Sequence, residues 1–221
     1  AVPVPVNWHW RGDELKHVIT HSGSKAVFAH SAFVDEVERQ LPRGVPLIEV
    51  PVREEQAAGY GACALTGRHQ VLDEWISGYE PYAEPLEAAP MSLIYTSGTT
   101  GLPKGVIRSP MTPEESQQVA MTTLNGMGLK PGMRTIVTAP MYHSAPNAQS
   151  LFSVALGIDL TLMARFDPER FLAAIEEQRI THAQVVPTMF VRLLELPDEV
   201  RQRYDLSSLE AVVHAAAPCP A

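Results

Sequence analysis

Short apolar runs alternate with capped amphipathic stretches along most of the chain, and that alternation restricts it to an α/β fold with a substantially parallel sheet. Strand-like runs fall at 25–29, 47–50, 92–95, 134–138, 160–163 and 183–186. Between them the spacing predicts helices over 13–22, 32–41, 112–125, 147–156, 167–178 and 188–196. Two starts carry local signatures. Thr112-Pro113-Glu114-Glu115 combines a cap, a proline preorganised at the first helical position and a capping-box glutamate, and Asp167-Pro168-Glu169 repeats the cap-proline-acid order. From 53 to 90 the alternation lapses: Gly59, Gly61, Gly67, Gly78, Pro81, Pro85 and Pro90 punctuate it, and only 71–76 suggests a helical turn. This stretch is expected as an irregular surface excursion.

Composition narrows the class. With 221 residues, 45% hydrophobic and 19% charged, the chain can build one large core or two small ones. A net charge of −8 argues against a general nucleic-acid or anionic-membrane binder, since a broad polyanion would be repelled. Cys63 and Cys219 are too few for a disulfide framework and have no metal-ligand spacing, which favours a reducing cytoplasm. No apolar run reaches the roughly 18 residues of a membrane span, and no signal segment opens the chain. The opening Val2-Pro3-Val4-Pro5-Val6-Asn7 reads as a strand edge with no lead-in, and the end at 218–221 follows closely on the apolar run 211–213. Both ends read as cut, so a fragment is expected.

The chemistry concentrates at residues 95–106, Tyr-Thr-Ser-Gly-Thr-Thr-Gly-Leu-Pro-Lys-Gly-Val. Thr96, Ser97, Thr99 and Thr100 supply hydroxyl donors. Gly98, Gly101 and Gly105 let backbone N–H groups turn toward an anion, and Lys104 adds a point charge. These are the groups needed to hold a polyphosphate. A Walker A loop would place Ser or Thr after Gly-Lys at the start of a helix; here Pro103 precedes the lysine and Gly-Val-Ile follows it. The Val-Ile run favours a strand, so a strand-loop-strand hairpin is expected.

That string resembles the phosphate-loop signature of the adenylate-forming, AMP-binding superfamily, which includes acyl-CoA synthetases, luciferases and peptide-synthetase adenylation domains. Val4-Pro5-Val6-Asn7, Asp13-Glu14-Leu15 and His21-Ser22-Gly23-Ser24-Lys25 are similar to the family's "P-x-N…EL…S-x-x-K" stretch. Ala139-Pro140-Met141-Tyr142-His143 resembles "P-x-[FY]-H", and Val186-Pro187-Thr188 resembles "V-P-[PT]". Asp205-Leu206-Ser207-Ser208-Leu209 and Ala216-Ala217-Pro218 resemble "DLSSL…GAAP".

The resemblance implies a fold: a fragment of the large N-terminal domain, with mixed, largely parallel sheets and flanking helices, spanning 1–221 without the small C-terminal domain. It implies an ATP-dependent carboxylic acid–CoA ligase that forms an acyl-adenylate and then a thioester. ATP, Mg2+ and coenzyme A are the implied cofactors, and a small carboxylic acid, fatty or aryl, is the implied substrate. Thr96, Ser97, Gly98, Thr99, Thr100, Gly101 and Lys104 are the implied ATP site, with Lys104 catalytic. His143 is the second catalytic candidate, beside the acyl carboxylate. With it, His214, Ala215, Ala216, Ala217 and Pro218 form the implied adenine and acyl pocket; Ala215 stands where glycine is commoner. The family's later motifs and its C-terminal lysine lie past residue 221, so the 221 residues alone are expected to be inactive. An adenylation domain loading a carrier protein, and a non-catalytic nucleotide-binding protein, are the alternatives. His17 and His21 stand four apart on a helix, a zinc-compatible spacing, but no third ligand accompanies them; they are expected on the solvent face.

Overall fold

A computed structural model describes residues 2–81, 83, 91–96, 101–106, 111–215 and 217–218. The chain, expected as one partial domain, divides into two compact units, 1–108 and 109–221.

In the first unit, α1 (Gly12–His21) precedes β1 (Val27–His30), and a 3-10 turn at Ser31–Phe33 leads into α2 (Val34–Gln40) and β2 (Leu47–Val50). Helix α1 forms because Leu15, Val18 and Ile19 fall on one stripe at helical spacing, and that stripe is buried. It packs with Val34, Val37, Leu47 and Tyr95 in one core cluster. Strands β1 and β2 pair in parallel, Val27 opposite Leu47. Residues 2–7, read as a strand edge, join no sheet among the described residues: Pro3 and Pro5 lack the N–H a ladder needs, and Leu93 N donates to Pro3 O at 2.9 Å.

Over its described residues the stretch 53–90 departs from expectation; 82 and 84–90 lie outside them. It carries α3 (Glu54–Tyr60), a two-residue β3 (Gln70–Val71) and α4 (Leu72–Ser77), and β3 extends the parallel sheet beside β2. Two residues are too short to show a period, and the tie that places them is remote. Buried Glu49 accepts bonds from the Thr66 amide at 2.8 Å and the Thr66 hydroxyl at 2.7 Å. Burial pushes the Glu49 carboxyl up, but the Thr66 and Ser31 hydrogen bonds outweigh it and hold it below the usual value.

The second unit follows the expected alternation closely. Helix α5 (Pro113–Met127) starts on Thr112, whose Oγ1 accepts from Glu115 N at 3.2 Å while Thr112 N donates to Glu115 Oε2 at 2.8 Å. Then come β6 (Arg134–Val137), α6 (Ser144–Ala155), β7 (Asp159–Leu162), α7 (Pro168–Gln178), β8 (His182–Val185), α8 (Pro187–Leu194), the short α9 (Asp198–Arg201) and β9 (Ala211–His214). Asp167 caps α7 by accepting from Arg170 N at 2.9 Å. The four strands run parallel in the order β7-β6-β8-β9.

Alternation along the strands separates the two faces of this sheet. Ile136, Ala183 and Val185 pack with Phe171, Leu172 and Ile175 of α7 and Met189 of α8. Thr135 and His182 point the other way, into a buried chain of hydrogen bonds. Gln149 Nε2 of α6 donates to Thr135 Oγ1 at 2.7 Å, and Thr135 Oγ1 lies 2.7 Å from His182 Nδ1. His182 Nε2 lies 2.7 Å from the carbonyl of Met127, which can only accept. The proton therefore sits on Nε2, and the Thr135 hydroxyl donates to Nδ1. Burial pushes the His182 pKa down.

Candidate active site

The expected hairpin is present. Strands β4 (Tyr95–Thr96) and β5 (Lys104–Gly105) pair antiparallel, with Tyr95 opposite Gly105 and Thr96 opposite Lys104. The two-residue period sends Tyr95 inward, where it is 4% exposed, and leaves Thr96 and Lys104 exposed on the opposite face. A hydroxyl and an ammonium thus stand side by side at the loop's mouth. Among the described residues no ion pair or hydrogen bond engages the Lys104 side chain, which leaves its charge available to an anion. Gly101, where the loop returns, has φ +137, a backbone that other residues rarely adopt. Ser97, Gly98, Thr99 and Thr100 lie outside the described residues.

Helix α1 grips both ends of this loop. His17 Nε2 lies 3.0 Å from the carbonyl oxygen of Pro103, and His21 Nδ1 lies 2.8 Å from the hydroxyl of Tyr95. The two imidazoles stack on each other with centroids 5.0 Å apart. The expectation of plain solvent-face histidines is corrected accordingly. His21 is exposed and His17 half-buried, yet both are hydrogen-bonded to the hairpin. The i, i+4 spacing was the visible signal; partners 86 and 74 residues away were not.

In the second unit the remaining candidates gather at the carboxyl edge of the sheet. The chain leaves β6 toward β7 on one side and returns to β8 on the other, so the order reverses between β6 and β8. Ligands of open parallel sheets bind at that kind of reversal, outside the carboxyl ends of the strands. His143 follows β6 and sits exposed at the N-cap position of α6, its ring against Tyr142 at 4.5 Å. Its carbonyl accepts from Asn147 N at 3.1 Å, which fixes the backbone that carries it. His214 ends β9 opposite Val185, two strand spacings (about 10 Å) from β6. It is exposed, with its ring edge-on to Phe190 of α8 at 6.1 Å. Ala215 N donates to Val185 O at 3.4 Å, and Ala217 and Pro218 are exposed beyond it. Ala216 lies outside the described residues. Sequence reasoning did not single out Thr138, 4% exposed just after β6, whose hydroxyl donates to Gln184 O at 3.0 Å and ties the end of β6 to β8, where the strand order reverses.

Among the described residues no three His, Cys, Asp or Glu side chains cluster as a metal cage. An ion such as Mg2+ is held largely by substrate phosphates and water, with one or two protein ligands. No helix in the described residues is long and apolar enough to cross a membrane.

Comparison with known proteins identifies the family. The family model described as AMP-binding enzyme matches residues 1–221. The chain is 32% identical over 224 residues to a feruloyl-CoA synthase of Amycolatopsis sp., covering 100% of the chain and 40% of that relative. It is 32% identical over 195 residues to the medium/long-chain-fatty-acid–CoA ligase FadD8 of Mycobacterium tuberculosis, covering 84% of the chain and 33% of the relative. The solved structure of the anthranilate CoA ligase AuaEII in complex with anthranoyl-AMP superposes with TM-score 0.77 at 21% identity, over 100% of the chain and 41% of that structure. The chain thus spans some two fifths or less of the length of these relatives.

Proposed function

The chain belongs to the AMP-binding enzyme family, and from that premise we propose that the full-length protein is an ATP-dependent carboxylic acid–CoA ligase. The observation that carries the proposal is the exposed Thr96–Lys104 pair at the mouth of a glycine-bearing hairpin. That pairing supplies a donor and a cation to a phosphate chain without a helix N-terminus opening from the loop.

In the first half-reaction a carboxylate oxygen bonds to the α-phosphorus of ATP, and the bond from that phosphorus to the α,β-bridging oxygen breaks. Pyrophosphate departs with the electron pair, leaving an acyl-adenylate. Two like charges about 4 Å apart repel by about 4 kcal/mol at an effective dielectric near 20. Lys104 offsets that repulsion and the charge that builds on the leaving group, while Thr96 and the loop amides donate to phosphate oxygens. His143 orients the carboxylate through a ring nitrogen, which adds direction at the reacting oxygen. In the second half-reaction the sulfur of coenzyme A bonds to the acyl carbonyl carbon, AMP leaves with the oxygen, and the thiol proton is released. His214 and Phe190 border the acyl pocket together with Ala215, Ala217 and Pro218.

The named relatives are a feruloyl-CoA synthase, a medium/long-chain-fatty-acid–CoA ligase and an anthranilate CoA ligase, so the acid is left to experiment. Acid-dependent ATP–pyrophosphate exchange by the full-length protein, across short, medium and long fatty acids and aryl acids, tests the reading. Exchange with one class establishes adenylation and names the acid. ATP binding with no exchange across the panel overturns it in favour of a nucleotide-binding protein. Exchange followed by transfer to a carrier protein, and not to coenzyme A, replaces the acceptor.

A further inference from the structure

Thr96 and Lys104 are each preceded in the chain by a residue that α1 holds. Tyr95, before Thr96, bonds through its hydroxyl to His21 Nδ1 at 2.8 Å. Pro103, before Lys104, bonds through its carbonyl to His17 Nε2 at 3.0 Å. We infer that His17 and His21 are positioning residues that hold the Thr96–Lys104 pair in register for the nucleotide's phosphates, a role resting on the phosphate-loop reading above.

The reasoning is local. Pro103 is fully buried and has no N–H, so its carbonyl is its only polar backbone group, and His17 is what satisfies it. That carbonyl belongs to the peptide plane leading into Lys104. Fixing the plane fixes the direction in which the Lys104 stem leaves the strand. A carbonyl only accepts, so His17 carries its proton on Nε2. At the other end, Tyr95 is held from two sides. Its ring lies where a Cβ on residue 105 would be, 2.9 Å from Cζ, and its hydroxyl meets His21. Because the histidines are one turn apart and stacked, they move as one block with α1, whose apolar face is anchored by Leu15, Val18 and Ile19. A loop gripped at both ends by a single helix binds a polyanion without first losing the freedom of its own ends, which is where preorganisation gains affinity.

The test is steady-state exchange by the full-length protein with His17→Ala, His21→Ala and nitrogen-matched replacements. Glutamine places its amide nitrogen near the position of Nε2, and asparagine near that of Nδ1. Loss of one such bond predicts about a five-fold rise in KM for ATP, with KM for the acid unchanged within two-fold. His17→Gln and His21→Asn recover most of it, whereas His17→Asn and His21→Gln do not. Tyr95→Phe keeps the ring and removes the hydroxyl, so it raises KM for ATP as His21→Ala does, and the double variant adds nothing further. Unchanged KM for ATP, equal rises for ATP and acid, or additive effects of His21→Ala and Tyr95→Phe would each overturn the inference while leaving the loop's role intact. Failure of the unsubstituted protein to bind ATP overturns the phosphate-loop reading itself, and this inference with it.

Discussion

A methyl group on residue 105 would stand 2.9 Å from Cζ of Tyr95, closer than real Cβ contacts come. Gly105 therefore serves packing: the absence of a side chain lets the buried ring lie across the second strand of the hairpin. Gly105→Ala forces the ring outward from a cluster that includes Trp10, Leu15 and Val18. Overpacking of this kind costs about 1–3 kcal/mol, read as a lower urea midpoint with an unchanged slope. Adding Tyr95→Leu to Gly105→Ala returns part of that loss if the clash is the cause. An unchanged midpoint for Gly105→Ala alone would show that the ring relocates freely.

Lys104 contrasts with its neighbour. Its side chain is exposed and touches no acidic group among the described residues, so Lys104→Ala leaves the unfolding midpoint within about 0.5 kcal/mol of the parent. Its effect falls on chemistry, where loss of one preorganised charge or donor lowers kcat/KM for exchange by about 100-fold or more. Lys104→Arg keeps the charge with a different reach and recovers part of the rate. A ten-fold or smaller loss in Lys104→Ala would remove the residue from the catalytic machinery.

What was legible in the sequence follows from what is local. The caps at Thr112 and Asp167 rest on contacts within three residues, and the stripe of α1, the two arms of the β4–β5 hairpin and the strand-helix alternation of the second unit each show as a period within a single short segment, which local patterns report. Strand β3 and the grip of α1 on the hairpin were not legible. Glu49 accepts two bonds from Thr66 across 17 residues, and His17 and His21 reach Pro103 and Tyr95 across 86 and 74. A histidine pair at helical spacing looks the same whether it faces water or a distant carbonyl. The pocket candidates show the same limit: motif order puts His143 and His214 on one list, but only the strand order β7-β6-β8-β9 puts them at one edge.

Acid sensitivity below pH 4 is expected from Asp205, in the loop before β9. The Ser207 hydroxyl, the Ser207 amide at 2.9 Å and the Arg179 guanidinium at 2.8 Å all favour its carboxylate, lowering its pKa from 3.8 to about 2. The folded pKa is depressed, so the contribution is complete above about 3.8 and is lost as pH falls from there toward 2. Asp205→Asn abolishes that part of the acid dependence, seen as a shallower fall in urea midpoint across the same window. The same slope in parent and variant would mean that other carboxylates carry it.

His182 acts in a higher window. It is 1% exposed, its Nε2 proton is committed to the Met127 carbonyl, and its Nδ1 already accepts from the Thr135 hydroxyl. A second proton on the ring would reverse the Thr135 bond, turning the hydroxyl's own proton away so that Thr135 Oγ1 accepts from both Nδ1 and Gln149. Burial depresses the folded pKa below the ordinary 6.5, so on acidification the unfolded chain takes up the proton first. Stability is therefore full above pH 6.5 and declines as pH falls below it, by at most about 1.4 kcal/mol per pH unit for this one group, until the folded pKa is reached. His182→Gln removes the titration but also a ring that joins α5, β6 and β8, so it lowers the midpoint at every pH, by about 2 kcal/mol, and flattens the profile between pH 5 and 7. The profile shape separates the two effects: a variant that is destabilised yet keeps the parent's slope through pH 6 would assign that slope to another histidine.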